Sequence, residues 1–336
     1  MAESGPVVSS ETLSGTTDHS DWMSKIPEKL QHFSLWKLAI PGSHDSMGYD
    51  LDMDSSIVEP DSLVHLGNLC CVRSIIRDWA TTQEMNIIQQ LDAGVRYFDL
   101  RVARKLNDTN PTRLYFYHGL YTHSDVETVL GMFNDWAERH PKEILVVALS
   151  HFKGMEEPIH IHLLNFITTL FGAKLIHKTD HPTLQFCWES GRHVLISYDF
   201  PANQYPGMWR KIPYFYGNTI EPSEVITVLD EMLQTRRPPN CTYCSERKLP
   251  DYCCCYFYVC GLNLTLPEGV TAVTYMFKTL KSATVQDLPT MLDWVKKQDP
   301  GAPNARVNII ATDFVNRLDF VPTVVKLNDK LSWSNR

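Results

Sequence analysis

The sequence contains no run of about 20 apolar residues, the length a membrane-spanning helix needs. The stretch that most invites the reading, residues 252–267, has 16 uncharged residues, contains Asn263 and Pro267, and is closed by Glu268. That length and composition fit a buried strand. An excess of positive charge is also missing: 31 Lys+Arg against 39 Asp+Glu leave a net charge of −8. Without a basic footprint the chain is not expected to bind nucleic acid, nor to dock on anionic lipid by charge alone. Residues 1–20 carry neither a basic segment nor an apolar one, so they are not read as a secretory signal. Ala2 stands where N-myristoylation needs glycine. Residues 1–24 are therefore expected to be a disordered leader and residues 25–336 a single domain. The expected location is the cytoplasm, with the nucleus open to a protein of this size. No internal repeat or low-complexity linker interrupts the remainder. With 43% hydrophobic and 21% charged residues the chain is not mainly disordered.

The nine cysteines are odd in number, and six of them fall between residues 241 and 260: Cys241, Cys244, Cys253, Cys254, Cys255 and Cys260. In a reducing compartment they are not expected to form disulfides. Cys241 and Cys244 with Cys253 offer part of a zinc site, but no second C-x2-C or spaced histidine pair follows. The run Cys253–Cys255 equally suits small buried hydrophobes on a strand.

What the chain does have is a recurring alternation of strand-like and helix-like segments. Residues 35–40 (LWKLAI) read as a short strand ended by Pro41-Gly42. Residues 82–93 have apolar positions at helical spacing, with Gly94 as the stop. Residues 95–102 (VRYFDLRV) and 113–117 (RLYFY) read as strands. Ser124-x-x-Glu127 reads as a capping box opening a helix. Residues 143–149 (EILVVAL) form an apolar run of the kind a strand covered on both faces shows. Residues 192–197, 214–216, 256–266 and 306–311 complete the series. Eight strands separated by helices predict an α/β protein of the (β/α)8-barrel type, either closed or distorted and open.

Polar and ionisable residues collect just past the ends of these strands: Ser43-His44-Asp45, Asp99-Leu100-Arg101, His118-Gly119, Ser150-His151, Tyr198-Asp199 and Thr312-Asp313. Period-two geometry puts Asp99 and Arg101 on one face. Barrel enzymes carry their reactive groups at this end of the strands. Singly, a histidine here is an ordinary packed residue and an Asp-x-Arg pair a local ion pair. Together, two imidazoles, a guanidinium and several carboxylates at one barrel mouth make an acid/base pair around an anion site. Two imidazoles split proton removal and proton delivery, and a guanidinium stabilises charge on a phosphate oxygen. Carboxylates fix the imidazole tautomers. The chemistry this set serves is phosphoryl transfer.

The segments 40–46 (IPGSHDS), 94–101 (GVRYFDLR) and 117–119 (YHG) resemble, in the same order, the X-region of phosphatidylinositol-specific phospholipase C. The overall length resembles the small animal group of X-domain-containing proteins. The resemblance runs from about residue 35 to 315, with its motifs concentrated in residues 30–205. It implies a phosphoric diester hydrolase that cleaves phosphatidylinositol or a related glycerophospholipid into diacylglycerol and an inositol cyclic phosphate. By matched motif it implies His44 as general base, Asp313 as its orienting carboxylate and His118 as general acid. Asp45 would support that acid, and Asp99 would share its role beside the leaving group. The resemblance also implies no metal ion: Arg101 stands where calcium-dependent members carry an acidic ligand, and Asp45 where they carry Asn. A guanidinium among the six to eight oxygens that calcium takes would repel it. No cofactor is expected, and the partner is a membrane phospholipid reached by peripheral contact.

The departures fall on substrate recognition. Ser150 and His151 stand where the family has Lys or Glu, and the stretch Ser197-Tyr198-Asp199 lies where bacterial members have an inositol-binding Arg. Ser150, His151, Tyr198 and Asp199 are the candidate headgroup-binding residues. Residues 205–209 (YPGMW) read either as an amphipathic rim loop for membrane contact or as an ordinary packed loop. Two alternatives remain: a non-catalytic phosphoinositide-binding protein on the same fold, and a metal-dependent glycerophosphodiesterase.

Overall fold

A computed structural model describes residues 19–60, 70–105, 108–235, 257–265, 279–301 and 306–332. Its strands are β1 (Ile40–Ser43), β2 (Tyr97–Ala103), β3 (Tyr115–His118), β4 (Leu120–Asp125), β5 (Leu145–Lys153), β6 (Val194–Tyr198), β7 (Met208–Trp209), β8 (Tyr214–Phe215), β9 (Val259–Gly261) and β10 (Ile309–Thr312). Its helices are α1 (Glu28–Gln31), α2 (Cys70–Ala80), α3 (Ile87–Asp92), α4 (Val126–Arg139), α5 (Glu157–Phe171), α6 (Leu184–Ser190), α7 (Pro222–Thr235), α8 (Leu280–Lys297) and α9 (Phe320–Lys326). The main sheet runs β7-β6-β5-β2-β1-β10-β9-β8, and every pairing along that path is parallel. This is the expected barrel in a distorted, open form, since among the described residues β7 and β8 end the path unpaired. Only residues 210–213 join them, too few for a crossover helix. At the seam Phe257 packs edge-on against Trp36 and Trp209, with ring centroids 5.9 and 5.8 Å apart.

Alternation along the strands sorts two apolar layers. Phe98, Leu100, Val147, Leu149, Ile196 and Ile310 face the helices. Ile40, Tyr97, Val146, Leu195, Val259, Ile309 and Ala311 fill the barrel interior. Gly42 lies within β1 instead of terminating it, because a Cβ there would meet the Tyr97 ring at 2.9 Å and the Ala311 methyl at 3.1 Å. The strand read at 35–40 is correspondingly displaced: Leu35–Lys37 is a 3-10 turn.

Several local readings shift once tertiary contacts enter. Asp125, not Ser124, caps α4, accepting from Thr128 N at 2.9 Å, because Ser124 N is committed to the Asp50 carboxylate. The helix read at 82–93 begins only at Ile87, where Asn86 and Gln89 form the capping box. Segment 113–117 is no barrel strand: β3 pairs antiparallel with the end of β2 and with β4, a ribbon beside the mouth. Residues 205–209 supply β7, with Met208 buried and Trp209 Nε1 donating to the Ile176 carbonyl, so the packed reading holds. Residues 19–24, assigned to the leader in the sequence reading, are packed. Trp22 and Met23 are buried, and the Met23 and Ser24 amides donate to the Glu143 carboxylate. The cysteine cluster lies outside the described residues except for Cys260, a free, buried thiol on β9. Among the described residues no helix is long and apolar enough to cross a membrane.

Candidate active site

The alternation that fills the interior with apolar groups brings a polar set to the C-terminal ends of the same strands. Following β1, β2, β5 and β10 along their inner faces leads to His44, to Asp99 and Arg101, to Ser150 and to Asp313. His118 comes from the β3–β4 ribbon, which explains why it stands opposite His44 instead of beside it.

His44 Nδ1 lies 2.8 Å from Asp313 Oδ1, and Asp313 is fully buried. Nδ1–H donates to the carboxylate, and Nε2 is left facing the mouth. His118 Nδ1 lies 2.8 Å from the Ala80 carbonyl at the end of α2. A carbonyl only accepts, so that nitrogen carries a proton and Nε2 again faces the mouth. The two rings are 6.2 Å apart, nearly perpendicular. Between them sits Asp45: Oδ2 is 3.2 Å from His44 Nε2 and 3.3 Å from His118 Nε2, and Oδ1 is 2.8 Å from Arg101 Nε. These are ion contacts without hydrogen-bond alignment, and both Asp45 oxygens and Arg101 Nε are buried with no aligned partner. Two imidazoles and a guanidinium thus converge on one anionic group.

The electrostatics follow from this packing. Burial pushes the His44 imidazolium down, yet the Asp45, Asp313 and Asp99 carboxylates outweigh it and raise the ring to about 9. Burial also favours the neutral acid at Asp45, but Arg101, His118 and His44 hold it below the ordinary carboxylate range. Asp99 moves the opposite way: burial and the Asp45 charge favour its protonated form. Two neighbouring carboxyls driven apart in this way mark an acid/base site. Asp99 Oδ2 accepts the Asp45 amide at 3.4 Å.

His44, Asp45, Asp99, Arg101, His118 and Asp313 are therefore brought together. Ser150 and His151 lie at the rim. Asp199 is at the rim as well, ion-paired with Lys211. Tyr198 is not at the site. The alternation that turns Ser197 inward turns Tyr198 toward the helices, where its hydroxyl meets His160 Nδ1 of α5 at 2.9 Å.

Sequence reading missed three contributors. Gln83 is fully buried; its Nε2 donates to the carbonyls of His44 (2.9 Å) and Thr312 (3.1 Å), and its Oε1 accepts from Val315 N (3.2 Å). It ties the loop carrying His44 to the strand end carrying Asp313. The neighbouring Thr82 donates to the Asp45 carbonyl at 2.7 Å, and Gly48 leaves room for it, since a Cβ there would lie 2.0 Å from Thr82 Oγ1. Tyr214 packs 5.8 Å from the His44 ring. Nothing local in the sequence separates these residues from ordinary polar ones.

Of possible metal ligands, His44, Asp45 and Asp99 place one atom each within 4.8 Å of one another. An ion there would share Asp45 with Arg101, whose positive charge the surrounding carboxylates stabilise further.

The open parallel barrel that carries this mouth has the fold of the phosphatidylinositol-specific phospholipase C barrels. Solved structures of that enzyme from Staphylococcus aureus and Listeria monocytogenes superpose with TM-scores of 0.62 and 0.58. They cover 93% of this chain and 98% and 99% of theirs, at 15% and 17% identity. No family model matches the chain. Curated relatives do: PI-PLC X domain-containing protein 1 of Danio rerio is 37% identical over 302 residues (88% of this chain, 92% of the relative). The Homo sapiens protein 1 is 35% identical over 322 residues (94% of each chain). Protein 2 of Mus musculus is 37% identical over 322 residues (93% of this chain, 88% of the relative). The chain belongs to the family of PI-PLC X domain-containing proteins.

Proposed function

We propose that the protein is a phosphodiesterase that cleaves phosphatidylinositol or a related glycerophospholipid by attack of the headgroup's own hydroxyl on phosphorus, without a metal ion. The observation that carries this reading is the triple grip on Asp45 by His44, His118 and Arg101. A phosphodiester entering beside Asp45 meets the same three groups, none of which has an aligned hydrogen bond to give up there. The family relationship supports the lipid class.

In the proposed reaction His44 Nε2 takes the proton of the headgroup hydroxyl as its oxygen bonds to phosphorus. The bond from phosphorus to the glycerol oxygen breaks, and that oxygen receives the Nε2 proton of His118, with Asp99, whose pKa burial and the Asp45 charge raise, sharing the acid role beside it. Diacylglycerol leaves, and the headgroup remains as a cyclic phosphate. Asp313 steadies the imidazolium that forms on His44, and Arg101 neutralises charge developing on the non-bridging oxygens, the task a cation would otherwise perform. The chain acts on a lipid surface by peripheral contact.

The test is turnover of labelled phosphatidylinositol by the full chain in excess EDTA. Release of a water-soluble phosphate is expected, and His44→Ala is expected to lower it by about 10³-fold. Failure of folded protein to release phosphate from a panel of glycerophospholipids, or release only with added calcium, goes against the proposal. The pKa of His44, about 9, favours one other reading, a phosphoinositide-binding protein without turnover. A base held protonated near neutrality serves anion binding better than proton abstraction. Retained lipid binding with no phosphate release would decide for it.

A further inference from the structure

Just below His44, three adjacent strands turn only small residues into the barrel interior. Gly42 of β1, Ala311 of β10 and Gly261 of β9 stand in register. The level beneath them carries Ile40, Ile309 and Val259. Two tyrosine rings enter the room so left, one from each side. Tyr97 of β2 lies over Gly42, where a Cβ would meet it at 2.9 Å. Tyr214 of β8 lies over Gly261, and this fit is the tighter. A Cβ on Gly261 would lie 2.4 Å from Tyr214 Cε1 and 2.8 Å from its hydroxyl oxygen. The φ of Gly261 is not positive, so the glycine is required by the ring above it, not by its own backbone.

The backbone alone holds Tyr214 weakly, since β8 has two residues and pairs, among the described residues, only with β9. Its side chain supplies the rest. The hydroxyl donates to Asn263 Oδ1 at 3.0 Å, and Asn263 is buried just past β9. So held, the ring stands 5.8 Å from the His44 ring, tilted by 49°. His44 has need of such a contact. Its Nδ1 is tied to Asp313 at 2.8 Å, but one hydrogen bond does not fix an imidazole plane, because the last torsion of a histidine side chain is broad. Asp45 touches Nε2 without hydrogen-bond alignment. Tyr214 bounds the ring on the β8 side, where a swing would turn Nε2 out of the mouth.

We propose that Tyr214 is a positioning residue for the base: held by Gly261 and Asn263, its ring fixes the plane of His44 so that Nε2 points into the mouth. The proposal rests on the phosphodiesterase reading above. The experiment compares the full chain as wild type, Tyr214→Leu, Tyr214→Phe, Gly261→Ala and the double variant Gly261→Ala/Tyr214→Leu. It measures turnover of phosphatidylinositol in mixed micelles, melting temperature, and exchange of the His44 Nδ1 proton by nuclear magnetic resonance. Tyr214→Leu removes the ring and is expected to lower kcat about tenfold with KM within about twofold, and to speed the proton exchange. Tyr214→Phe keeps the ring and is expected to hold kcat within about threefold of wild type. Gly261→Ala changes no polar group yet displaces the ring, so kcat and exchange are expected to follow Tyr214→Leu. Leucine leaves room for the added methyl, so the double variant is expected to match Tyr214→Leu instead of multiplying the two losses. Multiplied losses would overturn the proposal, as would a kcat loss that tracks melting temperature, or unchanged kcat and exchange in Tyr214→Leu. A loss confined to KM would overturn it too, by assigning Tyr214 to the headgroup. If wild type turns over no lipid, the phosphodiesterase reading falls and proton exchange decides on Tyr214 by itself. Faster exchange in Tyr214→Leu and Gly261→Ala but not in Tyr214→Phe then upholds the positioning role, and equal exchange in all of them overturns it.

Discussion

Arg96 and Arg101 lie on the same strand segment and serve opposite ends of the barrel. Arg96, just before β2, is fully enclosed. Its guanidinium donates to Glu143 through Nε and Nη2, to the Leu91 and Val95 carbonyls through Nη1, and to the Ser20 carbonyl. Glu143 uses its remaining capacity on the Met23 and Ser24 amides. That pair closes the floor and fastens residues 19–24 to it. Arg101, at the open end, is 21% exposed at the side chain, touches Asp45 without hydrogen-bond alignment, and lies 3.9 Å from Glu59. A buried ion pair with every donor matched is a structural joint; one with donors unmatched and solvent at hand is prepared for a ligand.

Truncating both arginines breaks the comparison most forcefully. Arg96→Leu strands a buried Glu143 charge and releases the Leu91, Val95 and Ser20 carbonyls, so a loss of about 3–5 kcal/mol is expected, read by chemical denaturation. Arg101→Leu is expected to leave the midpoint within about 1 kcal/mol of wild type and to lower phosphodiester turnover by about 10³-fold. Equal destabilisation by the two substitutions would show that the mouth pair is structural as well, and the contrast between floor and mouth would be lost.

The carboxylates around His44 sharpen the contrast through pH. Its folded-state pKa of about 9 lies above the unfolded value of about 6.5. A raised pKa means that the protonated ring stabilises the fold fully below the unfolded value, and that this contribution disappears as pH rises through about 9. On the order of 3 kcal/mol is at stake. Melting temperature is expected to fall between roughly pH 7 and 9.5, and His44→Gln to flatten that slope. For the same reason kcat/KM is expected to climb toward pH 9 as the free base appears. A flat stability profile across this range, or a His44 ring signal titrating near 6.5, would contradict the crowding of charge described at the mouth.

How much of this was legible in the sequence follows from the range of each interaction. Strands β2 and β5 and the set His44, Asp45, Asp99, Arg101, His118 and Asp313 are readable because strand period and strand-end position are local properties. Tyr198 misled because one residue of register exchanges the two faces of a strand, and the matching stretch spans both faces. His118 was read as a barrel-strand residue because pairing direction is not written in a five-residue apolar run. Met23 and Ser24 were read as leader because only Glu143, more than a hundred residues away, marks them as anchored. The β-bulge at His151, where Arg101 pairs with Ser150 but Ala103 with Lys153, leaves no trace in polarity, since it is visible only as a mismatch of two paired strands.

Gln83 is the residue least legible in sequence, and it joins the two halves of the comparison, being fully buried like Arg96 yet located at the mouth. Its side chain bridges the His44 carbonyl, the Thr312 carbonyl and the Val315 amide, so it sets the spacing of His44 from Asp313 without touching either side chain. Gln83→Met keeps the volume and removes all three hydrogen bonds, with an expected stability loss of about 2 kcal/mol. If the amide acts only as mortar, turnover per folded molecule and the His44 titration stay as they are. If it positions the pair, the two chain segments drift apart and the Asp313 carboxylate stabilises the imidazolium less. His44 then titrates lower by nuclear magnetic resonance, and the acid limb of kcat/KM moves to lower pH. In that case kcat falls by about tenfold with KM little changed, because the reacting groups lose alignment while the anion grip of Arg101 is retained. We expect the second outcome, since all three bonds of the Gln83 amide go to the chain segments that carry the proposed base and its carboxylate.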